Sequence, residues 1–400
     1  MRRLPPVVVW LSLVVAGCSS SSGGAPAANG TGGSGAAPAA GGAGGSTAGA
    51  GGSTAGASGS SAGAGGAGDE LAVPPKGEGL QIATGTFDVP PGTEEQDCYF
   101  YKVGELAAAA GLPAGPVNVH RIQVAQRTGS HHMNLFRVRT IVSLGPDGGA
   151  VQKGTNGMGE CFKSANWADW PLIANSQSGG QQVDWTFPDG VANVLQPDEW
   201  VMLQTHFVNA TTQTTPGDAG AVRVNLWSIP TSAVTAELGT VFATKQSIRV
   251  CASNPKPSFD GTCQINSPDP VTIIGANAHF HSRGREFDMY AWDGTSTTHP
   301  ADSARFYQSK SWNEPPMMHS PELSLAVPAM TGVWYTCSYQ WQEPLPSIGC
   351  AGLNAFDAKK YMTPVDQQDC CYTFGPQVDA NEHCNIFVYY YPKKDNVFCN

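Results

Sequence analysis

The chain is short of positive charge. Its 22 lysines and arginines face 32 aspartates and glutamates, a formal net charge of -10, and this balance argues against nucleic acid or an anionic lipid surface as a partner. No two of its cysteines form a CxxC pair, which excludes a zinc ribbon and a thioredoxin-like redox site. From Asp69 onward there is no GxSxG nucleophile elbow, no Walker loop and no HExxH, so three common catalytic plans are absent. Helical periodicity is scarce, with Glu105–Gly111 and Ala355–Tyr361 the only segments that carry it. No apolar run reaches membrane-spanning length.

The first residues read as targeting rather than as fold. Arg2 and Arg3, the apolar run Val7 to Val15, and the tetrapeptide Val15-Ala16-Gly17-Cys18 make a short signal,. That tetrapeptide resembles a bacterial lipobox, which implies cleavage before Cys18, lipidation of its thiol and amine, and, with Ser19 next, sorting to the outer membrane. Residues 19–68 carry no charge and consist almost wholly of Gly, Ala, Ser, Thr and Pro, with Gly44–Ala50 (GGSTAGA) repeated as Gly51–Ala57. Such a segment buries too little apolar surface to offset its ordering entropy. It is expected to act as a tether spanning on the order of 40 Å.

The rest of the chain is long enough for two domains. Short runs rich in Val, Ile, Thr and aromatics, separated by Pro, Gly, Asn and Asp, predict strands throughout, among them Val117–Val124, Trp200–Val208, Ile273–Phe280 and Cys384–Tyr391,. Many short strands without alternating helices point to an all-β fold built from β-sandwiches. The polar stretch Thr211–Gly220 is the natural boundary. The expected division is therefore a signal over 1–18, a tether over 19–75, and domains over 76–215 and 216–400.

Beyond Cys18 there are ten cysteines, an even number that in an exported chain predicts up to five disulfides,. Cys251 with Cys263 is expected as a local loop closure. Adjacent Cys370 and Cys371 are expected to take separate partners rather than bond to each other.

Six of the nine histidines fall in four short motifs: His131-His132, His206 in LQTHF, His279 and His281 in AHFHS, and His383 in NEHCN. Residues two apart on a strand share a face, so His279 and His281 make a bidentate clamp, with His383 as a candidate third ligand. Adjacent residues face opposite ways, so His131 and His132 can share an ion only at a strand end or bulge, which Gly129-Ser130 can supply. His206 lies in an apolar strand, where ligation would relieve the cost of an unpaired buried imidazole. An all-imidazole set suits copper, zinc, nickel or iron. No carboxylate stands at ligand spacing from these motifs, and Glu382 should face away from His383. His120, His299 and His319 lack any such context.

The ordered motifs Ser130–Phe136 (SHHMNLF), Leu203–Phe207 (LQTHF), His279-Phe280-His281, and Asn381–Asn385 (NEHCN) running on to Val388–Pro392 resemble the copper type II, ascorbate-dependent monooxygenases, the family of dopamine beta-hydroxylase and peptidylglycine alpha-hydroxylating monooxygenase. The similarity spans most of residues 95–400. It implies two consecutive jelly-roll domains, each with one copper, facing each other across an open, watery cleft. His131, His132 and His206 would hold an electron-transfer copper, and His279, His281 and His383 the catalytic, oxygen-binding one. It further implies O2 and a small organic substrate as partners, an ascorbate-like reductant, a monomeric chain, and a disulfide between Cys337 and Cys384.

The chain departs from that family in two places. The family's third ligand at the oxygen-binding copper is a methionine thioether, and His383 stands there; an imidazole favours Cu(II) more than a thioether does. Met317 and Met318 are the thioethers available to replace it. Asn277 and Phe387 stand where peptidylglycine enzymes use an arginine and a tyrosine, so a peptidylglycine substrate is not expected, and Arg283 and Arg285 read as solvated. The alternative function is a copper-binding surface lipoprotein for capture, storage or electron transfer; an adhesion or glycan-binding module is a third reading.

Overall fold

Val117 and Val119 share one face of a strand and Ile122 and Val124 the other, and in the computed structural model, where Val117–Gln126 is a ten-residue strand, a register slip opposite Trp227 and Ser228 turns both pairs into one core. The structure describes residues 71–127, 129–138, 152–155, 170–177, 182–209, 221–361, 369–375, 377–395 and 397–399. The proposed signal, Cys18, most of the tether and the Thr211–Gly220 boundary lie outside them. Among the described residues strands dominate in several antiparallel sheets, with two α-helices, so the protein is an all-β sandwich fold. No helix among the described residues is long and apolar enough to cross a membrane.

In the first half, one sheet sets Gly79–Ala83, Val222–Ser228, Val117–Gln126 and Val191–Leu195 side by side. A second orders Gln152–Thr155, Thr93–Lys102, Trp200–Asn209, Ser130–Val138 and Leu172–Ser176. One core holds residues of both, including Val119, Val124, Leu135, Phe136, Met202 and Leu203. Val222–Ser228, which follows the polar stretch Thr211–Gly220, pairs with Gly79–Ala83 and Val117–Gln126, a long-range contact that sequence composition conceals.

In the second half, Gly239–Thr244, Asn385–Tyr391 and Val271–His279 form one sheet. Arg305–Ser309, Gly284–Trp292, Gly332–Tyr339, Ser258–Ile265 and Val397–Cys399 form another. Asn385–Tyr391 (NIFVYYY) is apolar on both sides of its pleat and buried on both,. Ile386, Val388 and Tyr390 enter the second core, while Phe387 and Tyr389 enter the first. Its sheet is therefore covered by its own sandwich on one face and by the first half on the other. Gly275 permits the close approach: a Cβ there would stand 2.6 Å from the Trp185 ring.

Four disulfides occur among the described residues. Cys337–Cys384 is formed, and Cys370 and Cys371 take separate partners, Cys350 and Cys251. The Cys251–Cys263 pairing is corrected: Cys251 bonds Cys371 and Cys263 bonds Cys399. Each is directly opposite its partner in an antiparallel register, whereas Cys251 and Cys263 lie on strands of different sheets. The helices run over Val103–Ala109 and Gly349–Tyr361. The second starts six residues before the expected segment.

Candidate metal centre

Each histidine pair is aimed by a local irregularity or a strand end. The register between Ser130–Val138 and Trp200–Asn209 slips between Ser130 and His132, which leaves His131 bulged and sets His132 directly opposite His206. Gly129, at φ +94°, leads into this bulge,. Both adjacent imidazoles can then face the same side, with ring centroids 5.1 Å apart and each about 5 Å from His206 at 5.1 and 5.0 Å. In the second half, His279 ends its strand and His281 follows, 5.2 Å ring to ring, while Phe280 between them points into the second core.

The two sets meet. His131 lies 4.9 Å from His279 and 5.6 Å from His281, and His132 lies 4.7 Å from His279. Contacts across the halves are as short as those within them, and the six imidazoles are only 0 to 8% exposed. The open cleft implied by the resemblance is absent here: among the described residues the halves close directly on one another, because Ile274, Phe387 and Tyr389 complete the first core. Two triads bring one nitrogen from each residue within 4.8 Å of the others, His131-His132-His206 and His131-His279-His281. His131 thus stands where His383 was expected.

His383 adjoins the cluster, 4.3 Å from His281 and 5.1 Å from His279, but its ring is otherwise engaged. Phe374 stacks on it at 5.0 Å, the Asn385 amide donates to Nδ1 at 3.4 Å, and it hydrogen-bonds the Gly375 backbone. By contrast, His131 Nε2, His132 Nδ1, His279 Nε2 and His281 Nε2 are buried with no hydrogen-bond partner. Four orphaned imidazole nitrogens in one place are what a cation would satisfy.

Supporting groups fix the ring orientations. His281 Nδ1–H donates to the Asn381 carbonyl at 3.0 Å, and His279 Nδ1–H to Gln177 Oε1 at 2.8 Å, leaving each Nε2 lone pair toward the cluster,. His206 donates through Nε2 to the Glu94 carboxylate at 3.0 Å, so the fold supplies from a distant strand the carboxylate that the sequence spacing does not. Burial, and then neighbouring imidazoles, push His131, His132, His279 and His281 well below the usual imidazole pKa. Burial pushes His383 down to about 3. These five rings are neutral at pH 7, the form that ligates.

Arg283 is not solvated but buried, and this expectation is corrected. Its Nε donates to Glu382 Oε1 at 2.7 Å, the side chains being 5 and 0% exposed, and its guanidinium lies 4.1 Å from the Tyr372 ring centroid. Glu382 also accepts the backbone N–H of His281 and of Arg283, both at 3.0 Å. An HxHxR pattern meeting NE is the signal that could have found this pair. Arg285 is exposed and donates to nearby carbonyls. Met317 packs against the first core and Met318 against the second. Asn277 is buried and donates to the Pro316 carbonyl. His120, His299 and His319 bond to carbonyls of Val191, Pro300 and Ser320, outside the cluster. The set Cys251-Asp369-Cys371 offers no thiolate, since its cysteines form a disulfide.

A cavity of about 560 Å³ lies beside the cluster. Glu94, Ser282 and Trp312 are among its lining residues, and the Trp312 ring is 5.9 Å from that of His131. The sequence matches no protein-family model and no curated protein.

Proposed function

We propose that this chain is a copper-dependent monooxygenase that hydroxylates a C–H bond of a small organic substrate, with O2 as oxidant and an ascorbate-like reductant. The observation that carries the reading is the set of orphaned, buried nitrogens on His131, His132, His279 and His281. A donor set made only of neutral imidazoles suits copper well. Copper held there would supply one-electron redox chemistry and a site for oxygen activation. The overall change balances as RH + O2 + 2 e⁻ + 2 H⁺ → ROH + H2O, the electrons coming from the reductant.

The chain's own residues do the rest. Asn381 and Gln177 hold His281 and His279 in the tautomer that turns Nε2 inward. Glu94 holds His206 with its proton on Nε2. The contact of the two halves keeps bulk water from the rings. The cavity beside them falls within the usual range for small-molecule sites,. The motif order given above and the Cys337–Cys384 bridge next to His383 also support the reading. The jelly-roll topology, a lipid anchor at Cys18 and an outer-membrane location belong to the same proposal, and four disulfides fit an oxidising compartment,.

Complete burial of the imidazoles favours a second reading, capture or storage of copper without turnover. Copper content and ascorbate-driven oxygen uptake of the full chain, its His279→Ala and its His206→Ala variants separate the cases. Stoichiometric copper that falls in the variants, with uptake above the free-copper background, supports the monooxygenase. Bound copper with background uptake supports storage. Copper content unchanged by either substitution sinks both.

A further inference from the structure

The resemblance divides the histidines into two sets of three, one per half, each able to fill without regard to the other. The geometry does not divide them so. The triads that one ion can reach overlap at a single residue, His131, and no other histidine belongs to both. His132 faces His279 as closely as His131 does, at 4.7 against 4.9 Å, yet only His131 completes a set with His279 and His281.

The reason is the bulge. His131 is the residue left over where the strand register slips, so its side chain is released from the regular alternation while His132 stays opposite His206,. Its Nε2 is buried and has no hydrogen-bond partner. We propose that His131, His132, His206, His279 and His281 form one metal centre in which His131 is a ligand common to both triads, so that filling one triad withdraws a ligand from the other. This rests on the proposal that the protein binds a metal, and it goes beyond it by coupling the two sites.

The chemistry follows from lone pairs. An imidazole nitrogen has one lone pair and serves one cation at a time. When His131 is given to His132 and His206, the second set keeps His279 and His281, two imidazoles where metal sites of this type use three protein ligands. The same holds in reverse. Two ions also repel in so small a buried space. The second ion therefore binds more weakly than the first, at whichever triad it arrives.

The test is a titration of the metal-free full chain with Cu(II), and separately with Zn(II), against a competing chelator. For wild type we expect one tight ion and a second bound at least about tenfold more weakly, a coupling of ordinary size. His131→Ala is expected to abolish the tight phase, because neither triad remains complete. His281→Ala is expected to keep one tight ion and lose the weak one, since His131 then serves His132 and His206 alone. Two ions of equal affinity in wild type would overturn the inference whether or not the variants fold. So would a His131→Ala chain that keeps one ion at wild-type affinity. Wild type that binds no ion at all overturns the proposed function with it, whereas two independent ions overturn the coupling alone.

Discussion

Gln177, just past the end of a first-half strand, accepts a hydrogen bond from His279 of the second half at 2.8 Å, across 102 residues of sequence. The amide is 1% exposed and its own Nε2 has no partner. It fixes the tautomer of a candidate ligand that the other half provides. Gln177→Leu keeps the bulk and removes the acceptor. Metal affinity is expected to fall by roughly 10- to 100-fold, the usual effect of losing a group that orients a ligating histidine. Gln177→Glu, which retains an acceptor, is expected to restore most of it. Chelator competition measures both.

The Arg283–Glu382 pair holds the turn after His281 against the strand before His383. Arg283→Met leaves a buried carboxylate without its counter-charge, and Glu382→Gln weakens the same bond from the other side. The arginine substitution is expected to cost about 3–5 kcal/mol of unfolding free energy, while Arg283→Met with Glu382→Gln together should cost less than Arg283→Met alone, because the amide oxygen still accepts a backbone N–H and no bare charge is left,. Urea denaturation of the metal-free chains reads the difference.

Acid should destabilise the metal-free protein. Five imidazoles have folded pKa values below the ordinary 6.5 because burial disfavours their charged form. Below pH 6.5 the unfolded chain binds more protons than the folded one, so stability is fully present above that pH and is lost as pH falls. For His383 the loss continues down to about 3. Each such imidazole contributes a slope of up to about 1.4 kcal/mol per pH unit. Denaturant midpoints at pH 7.5, 6.0 and 5.0 should decline steadily. A midpoint that does not move across this range would contradict the burial of these rings.

Removing the Cys337–Cys384 bridge should act on both stability and the metal. Cys384 follows His383, and the bridge ties it to the centre of Gly332–Tyr339. Cys337→Ala with Cys384→Ala is expected to lower stability by about 2–4 kcal/mol. The same change frees the loop that packs His383 on His281 and His279, and broader Cu(II) paramagnetic resonance lines are the expected signature.

The site was more legible in the sequence than its setting was. His131-His132 beside Gly129 and the HxH of His279 and His281 are short-range patterns, and strand periodicity decides where such side chains point. The partners that hold them come from elsewhere: Gln177 for His279, and Glu94 for His206 at a separation of 112. Pairings of that range depend on which strands lie side by side. Sequence proximity misled for Cys251 and Cys263, because an antiparallel register joins residues across a sheet. Likewise, polar composition at Thr211–Gly220 suggested a boundary, while the strand after it returns to the first sheet. The helix Gly349–Tyr361 opens with Gly349 and Gly352, poor helix formers, and is held by the Cys350–Cys370 bond and by Asp357 on Arg249,.

The strand Asn385–Tyr391 has a side chain in each core at every other position. Swinging the halves apart would draw Phe387 and Tyr389 into water and break the Tyr389–Asn175 hydrogen bond of 2.6 Å. A hinge is thus opposed by the same burial that makes the protein fold. Neither half is a separable part: residues 71–238 expressed alone would present the bare side of an unfinished interior. The chain should melt in one transition, without a separate step in which the two sandwiches part.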